Sequence, residues 1–133
     1  MEQPDLTLDE IVGLIKQQQL KRGLQFEGMP EEVRIKYASA CALALHVEVG
    51  ELSSSWAFAP WKSTVTDVEN IKREIIDCIF FLANISFCFD ITTDDLQRMF
   101  FWVLNNNQRR MASGEHKDLS TDTQTDNNQS DNN

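Results

Sequence analysis

Glu48 and Glu51 stand three residues apart in the stretch HVEVGEL, and Glu74 and Asp77 repeat that spacing in EIID. Residues i and i+3 of a helix project from one side, so each pair presents two carboxylates together. The first pair follows the apolar run ASACALAL and the second opens the run IIDCIFFLANISFCF. Helices that are apolar nearly all round are elements enclosed by others, so the four acids are expected to converge in the interior of a bundle. Carboxylates gathered there without a partner lose hydration and repel one another, which drives them toward the protonated form. A hard divalent cation relieves both effects, and magnesium characteristically takes a few carboxylates and leaves its other positions to water and phosphate oxygens. The chemistry expected of Glu48, Glu51, Glu74 and Asp77 is therefore Mg2+ binding, with Mn2+ as the alternative. The competing reading makes each pair a solvated helix face, with Glu74 neutralised by Lys72 or Arg73. Two pairs, both with apolar flanks, weigh against it.

The elements that position these acids read as helices. Thr7 and Glu10 form a capping box, and Leu8, Ile11, Val12, Ile15 and Leu20 recur at helical spacing, which predicts a first helix over about 7–21. Gly23, Gly28 and Pro30 break it. A second helix is expected from about Glu31 to Phe58, ended by Pro60. Thr66 and Glu69 form a further capping-box signature for a third helix reaching about Phe89. Thr92 and Asp95 give a weaker start for a fourth over about 93–110, carrying Leu96, Met99, Phe100, Val103 and Leu104. No alternating strand pattern competes.

The chain of 133 residues suits one domain, over about 1–110. From Met111 the sequence turns polar and acidic, and the segment 111–133 is expected to be a disordered tail because it lacks the apolar surface that offsets ordering entropy. With 12 basic and 21 acidic residues, a net charge of -9 argues against nucleic-acid or membrane-surface binding through a general positive field. Cys41, Cys78 and Cys88 lie in apolar runs without metal-ligand spacing and read as reduced core residues. His46 reads as a satisfied core histidine, since no second histidine or spaced cysteine accompanies it. The N-terminal MEQPDLTLDE has no basic or apolar leader pattern, and the apolar run at 75–89 is shorter than a membrane span, so a cytoplasmic location is expected.

The string EVGEL, the aromatic and lysine-bearing segment after it, and the ExxD leading into a hydrophobic helix resemble the all-α nucleoside-triphosphate pyrophosphohydrolases, the superfamily of MazG-like enzymes and dimeric dUTPases. The 22 residues between Glu51 and Glu74 are compatible with that pattern. ALHVEVGEL followed by Trp56, Phe58 and Trp61 is most similar to the dimeric-dUTPase branch, and Asn107, Arg110 and Gly114 echo its C-terminal NxxRxxxG. EVGEL and NxxRR are also similar to the dCTP pyrophosphatase branch. The chain departs from the dUTPase pattern at Ser54 and Ser55, where that branch carries Asn-Glu, and at Val103, where it carries lysine.

The resemblance implies an all-α bundle of four to five helices and a homodimer or homotetramer. It also implies hydrolysis of a nucleoside triphosphate to the monophosphate and pyrophosphate at a magnesium site built from the four acids. Base specificity is left open among dUTP, dCTP and dGTP. Glu48 is the candidate base for the attacking water, with Glu51 beside it. Lys62, Arg109 and Arg110 are candidate phosphate contacts, each equally readable as an ordinary surface base. Trp56, Phe58 and Trp61 are candidate stacking residues or core, and Asn84, seven residues after Asp77 and so on the same face, is a candidate ligand contact. Asn107 joins them through the C-terminal motif. The alternative function is a helical interaction protein of the same fold without catalysis.

Overall fold

The structure, a computed structural model, describes residues 4–56 and 66–114. It contains four helices, α1 (Leu8–Lys21), α2 (Glu31–Ser54), α3 (Val68–Cys88) and α4 (Thr93–Ser113), and no strand among the described residues. The all-α expectation is met with four helices. The chain divides into two compact units, one through Leu96 and one from Gln97.

Within the first unit, α3 packs along α2 and also against α1. The apolar core is formed by Ile15 of α1, Phe26 of the following turn, Ala38 of α2, and Ala83, Phe87 and Cys88 of α3. Phe26 packs its ring tilted against both Tyr37 and Phe87, with centroids 5.7 and 5.3 Å away. Cys41, Cys78 and Cys88 are free thiols, two of them buried. On α2 every buried residue of this core lies in the N-terminal half, and on α3 the buried apolar residues lie in the C-terminal half. The other end of the α2–α3 pair is where the acids are.

Helix boundaries follow from local chemistry. Thr7 caps α1 as expected: its hydroxyl accepts from the Glu10 N–H at 3.3 Å, and Glu10 Oε2 accepts from the Thr7 N–H at 2.8 Å. Those bonds hold the Glu10 carboxyl below the usual glutamate range. α1 ends at Gly23, whose φ of 85° is the left-handed conformation. Gly23 donates to the Leu20 carbonyl and Leu24 to that of Gln19, the paired bonds of a Schellman ending. The same ending closes α3 with Asp90 at φ 54° in the glycine position, secured by an ion pair to Arg34 at 2.8 Å.

Three boundaries differ from the sequence-based expectation. α2 stops at Ser54 rather than near Phe58, because Ser53, Ser54 and Ser55 each turn a hydroxyl back onto the carbonyl four residues earlier. The N-cap of α3 is Asp67, not Thr66: its carboxylate accepts from the Asn70 N–H at 3.0 Å, while Glu69 pairs with Lys72. α4 does open with the expected Thr92–Asp95 reciprocal bonds, at 2.9 and 3.2 Å, but continues to Ser113. The expected stop at Pro60 falls outside the described residues, as does the segment from Glu115 onward.

α4 has no buried residue. Phe100, Phe101 and Trp102 are each 61% exposed, and Leu96, Met99, Val103 and Leu104 are exposed with them.

Candidate metal centre

The packing of α2 on α3 sets the HVEVGEL segment opposite the start of α3. Glu48, Glu74 and Asp77 each offer a carboxylate oxygen, and these oxygens all lie within 4.8 Å of one another. Glu74 is buried, only 6% exposed, and the other two are half-buried. Glu51 is exposed and stands outside this group, so the expected convergence of four acids in the interior resolves into three, with the fourth at the rim. On this stretch the apolar neighbours Leu43, Val47, Ile75 and Ile76 are exposed as well, so within the first unit and among the described residues α2 and α3 are not enclosed all round here.

The electrostatics are those of crowded like charges. Glu48 is pushed above the usual glutamate range first by burial, then by the negative charges of Glu51, Asp77 and Glu74, and by a hydrogen bond with Glu74. The Cys78 thiol is raised by burial and by the same three acids, Glu48, Glu74 and Asp77. Among the described residues no lysine or arginine pairs with the group: the ion pairs are Arg34–Asp90, Lys36–Glu32 and Lys72–Glu69. Arg73, the other basic candidate for neutralising Glu74, donates instead to Asn70 at 2.8 Å.

A buried carboxylate oxygen is normally hydrogen-bonded. Glu74 Oε2 is buried and has no partner among the described residues. The donor set is all oxygen, triply anionic when ionised, and partly open to solvent on two members. It fits a hard divalent cation that keeps water in its remaining positions.

A pocket of about 510 Å³ adjoins the acids, with Glu48 and Asp77 on one side and Gln18, Gln19 and Arg22 from the end of α1 on the other. Tyr37, Phe80 and Phe81 add aromatic surface, and Asn84 contributes a side chain that is 4% exposed and whose Oδ1 has no partner. Sequence reading found Asn84 but missed Gln18, Gln19, Arg22 and Tyr37. The signal was present at Gln19, which follows Ile15 by four residues on the apolar stripe of α1 and is itself buried. A second pocket, of about 540 Å³, is lined by Asp9, Lys16, Phe26, Phe87 and Ile91 and contains none of the clustered acids.

Trp56 is at the exposed limit, just after α2. Phe58, Trp61 and Lys62 lie outside the described residues. Asn107, Arg109 and Arg110 are exposed on α4, in the second unit. His46 is satisfied, its Nδ1 2.7 Å from the Ala42 carbonyl, but it sits at the surface rather than in the core.

The chain matches the dUTPase family model over residues 10–131. It belongs to the all-α dUTPase family. The match spans α1 to α4 and takes in all four acids, in agreement with the resemblance read from EVGEL and ExxD. No curated protein and no solved structure matches the chain. Membership of the dUTPase family points to a role of the nucleoside-triphosphate hydrolase kind, and the three-carboxylate group is able to hold the metal ion such enzymes use. No single described helix is long and apolar enough to cross a membrane.

Proposed function

We propose that this protein is a metal-dependent nucleoside triphosphate pyrophosphohydrolase, converting a deoxynucleoside triphosphate to the monophosphate and pyrophosphate, with dUTP the leading substrate and dCTP or dGTP next. The observation that carries the reading is the unpartnered, buried Glu74 Oε2 within the Glu48–Glu74–Asp77 group. An acid oxygen left without a donor among the described residues supports a cation there.

Glu48, Glu74 and Asp77 would hold Mg2+, or Mn2+, with Glu51 beside them adding negative charge. A cation bound there neutralises phosphate oxygens and makes water a better nucleophile. Phosphoryl transfer asks the protein mainly for positioning and charge compensation. Water attacks the α-phosphorus, the bond from that phosphorus to the α–β bridging oxygen breaks, and pyrophosphate leaves with the electron pair. The water proton passes to a carboxylate of the group, with Glu48 the candidate base.

The adjoining pocket accepts the nucleoside. Asn84 offers an amide whose Oδ1 is free to accept, and Gln18 and Gln19 offer further amides for the edge of a base. Arg22 supplies positive charge within the same pocket. Trp56, Trp61, Lys62, Asn107 and Arg110 are further candidate substrate contacts on the family resemblance. The exposed apolar face of α4 supports a homo-oligomer, a dimer or a pair of dimers. The catalytic domain is taken as residues 1–110.

The test is incubation with each canonical dNTP, dUTP and the ribonucleotides at one magnesium concentration, with and without chelator, reading pyrophosphate. Release from at least one deoxynucleotide, abolished by chelator, is expected. No release from any nucleotide would instead favour a helical interaction protein of the same fold.

A further inference from the structure

Along the α2–α3 pair the order of features is apolar core, then acids, then a polar cluster of Ser55, Asp67 and Asn70. Among the described residues, α2 has no buried residue after Cys41 and α3 has no buried apolar residue before Ala83. Three carboxylates therefore crowd together where the apolar residues between their helices, Leu45, Leu52, Ile71 and Cys78 among them, are only half-buried. Their repulsion acts to separate α2 from α3, and something must oppose it.

Ser55 is in position to do so. It is 4% exposed and lies just past α2, four residues after Glu51. Its hydroxyl accepts from Asn70 Nδ2 at 2.7 Å and donates to the Glu51 carbonyl at 3.3 Å. Its own carbonyl accepts from the Asp67 N–H at 3.0 Å. On the α3 side, Asn70 lies four residues before Glu74, and its Oδ1 accepts from Arg73 at 2.8 Å. That bond fixes the amide so that the NH2 group faces Ser55. The latch thus lies two helical turns after Glu48 on α2 and one turn before Glu74 on α3. A slip of one residue between the helices moves each side chain about 1.5 Å along the axis and about 100° around it, enough to scatter the oxygens.

We infer that Ser55 and Asn70 are positioning residues which lock α2 and α3 in register, so that Glu48, Glu74 and Asp77 converge before a cation arrives. The inference rests on the reading of those acids as a metal site. Groups that orient ligands from behind commonly change metal affinity about tenfold or more when lost.

The test is Mn2+ affinity of the full chain without nucleotide, measured by electron paramagnetic resonance on the wild type, Ser55→Ala, Ser55→Thr and Asn70→Ala. Thermal melts are run in parallel. Ser55→Ala and Asn70→Ala are expected to weaken Mn2+ binding about tenfold, while Ser55→Thr, which keeps the hydroxyl, binds as the wild type does. Ile15→Val, a core change at the far end, controls for general loss of stability and is expected to lower the melting temperature without altering affinity. Wild-type affinity in Ser55→Ala, or equal weakening by Ile15→Val, overturns the latch. A wild type that binds no Mn2+ overturns the metal site beneath it.

Discussion

Glu48 on α2 and Glu74 on α3 are hydrogen-bonding partners only while one of them keeps a proton, and it is Glu48 that is driven to keep it. Its folded-state pKa lies above the ordinary 4.5, so the folded state binds that proton more tightly than the unfolded chain does. The stability this contributes is complete below the ordinary value and is lost as pH rises through the raised one. In chelator, Glu48→Gln is expected to raise the melting temperature at neutral pH and to flatten its decline on leaving acid. An unchanged melting profile in the variant would mean that the acids do not repel.

A cation reverses that penalty. Saturating Mg2+ at a hundred times its Kd adds about 2.7 kcal/mol of stability by mass action alone. Calorimetric melts are expected to move upward with Mg2+ in the wild type and to stay fixed in Glu74→Gln, which keeps the shape of the buried side chain and removes its charge.

Tyr37 is the chain's single tyrosine. Its phenol is pushed up to about 12, first by burial and then by Cys41. Near-ultraviolet absorbance therefore follows this one group, and its ionisation is expected near that value. The proton is held more tightly in the folded state, so the associated stability is intact below pH 10 and lost as pH rises toward 12. Ionisation at the ordinary value would place Tyr37 in water.

The aromatic run of α4 supplies a test of assembly. Phe100→Glu puts a charge into a surface that is 61% exposed in the single chain. Light scattering coupled to size exclusion is expected to give a homo-oligomer for the wild type and a smaller species for the variant. A monomeric wild type at micromolar concentration would contradict the proposed assembly.

The helical fold was legible because its signals are local. Thr7 with Glu10, and Thr92 with Asp95, form the bonds their spacing suggests. The start of α3 was misread because its cap depends on a distant residue. The Ser55 carbonyl takes the Asp67 N–H, and Asp67 in turn caps Asn70.

In the candidate site, spacing picked out the acids but not their depth. Periodicity places Glu48 and Glu51 on one side of α2, but it does not tell which acid faces the neighbouring helix, and in the structure Glu51 is exposed while Glu74 of α3 is buried. Gln18 and Arg22 were invisible for a different reason. Both are exposed, and nothing in the sequence distinguishes a surface polar residue at a helix end from one that lines a pocket.

Anomalous diffraction from a crystal soaked in manganese tests the central claim most directly. A peak within coordination distance of Glu48, Glu74 and Asp77, absent in crystals of Glu74→Gln, is the predicted result. Ordered carboxylates with no peak among them would contradict it.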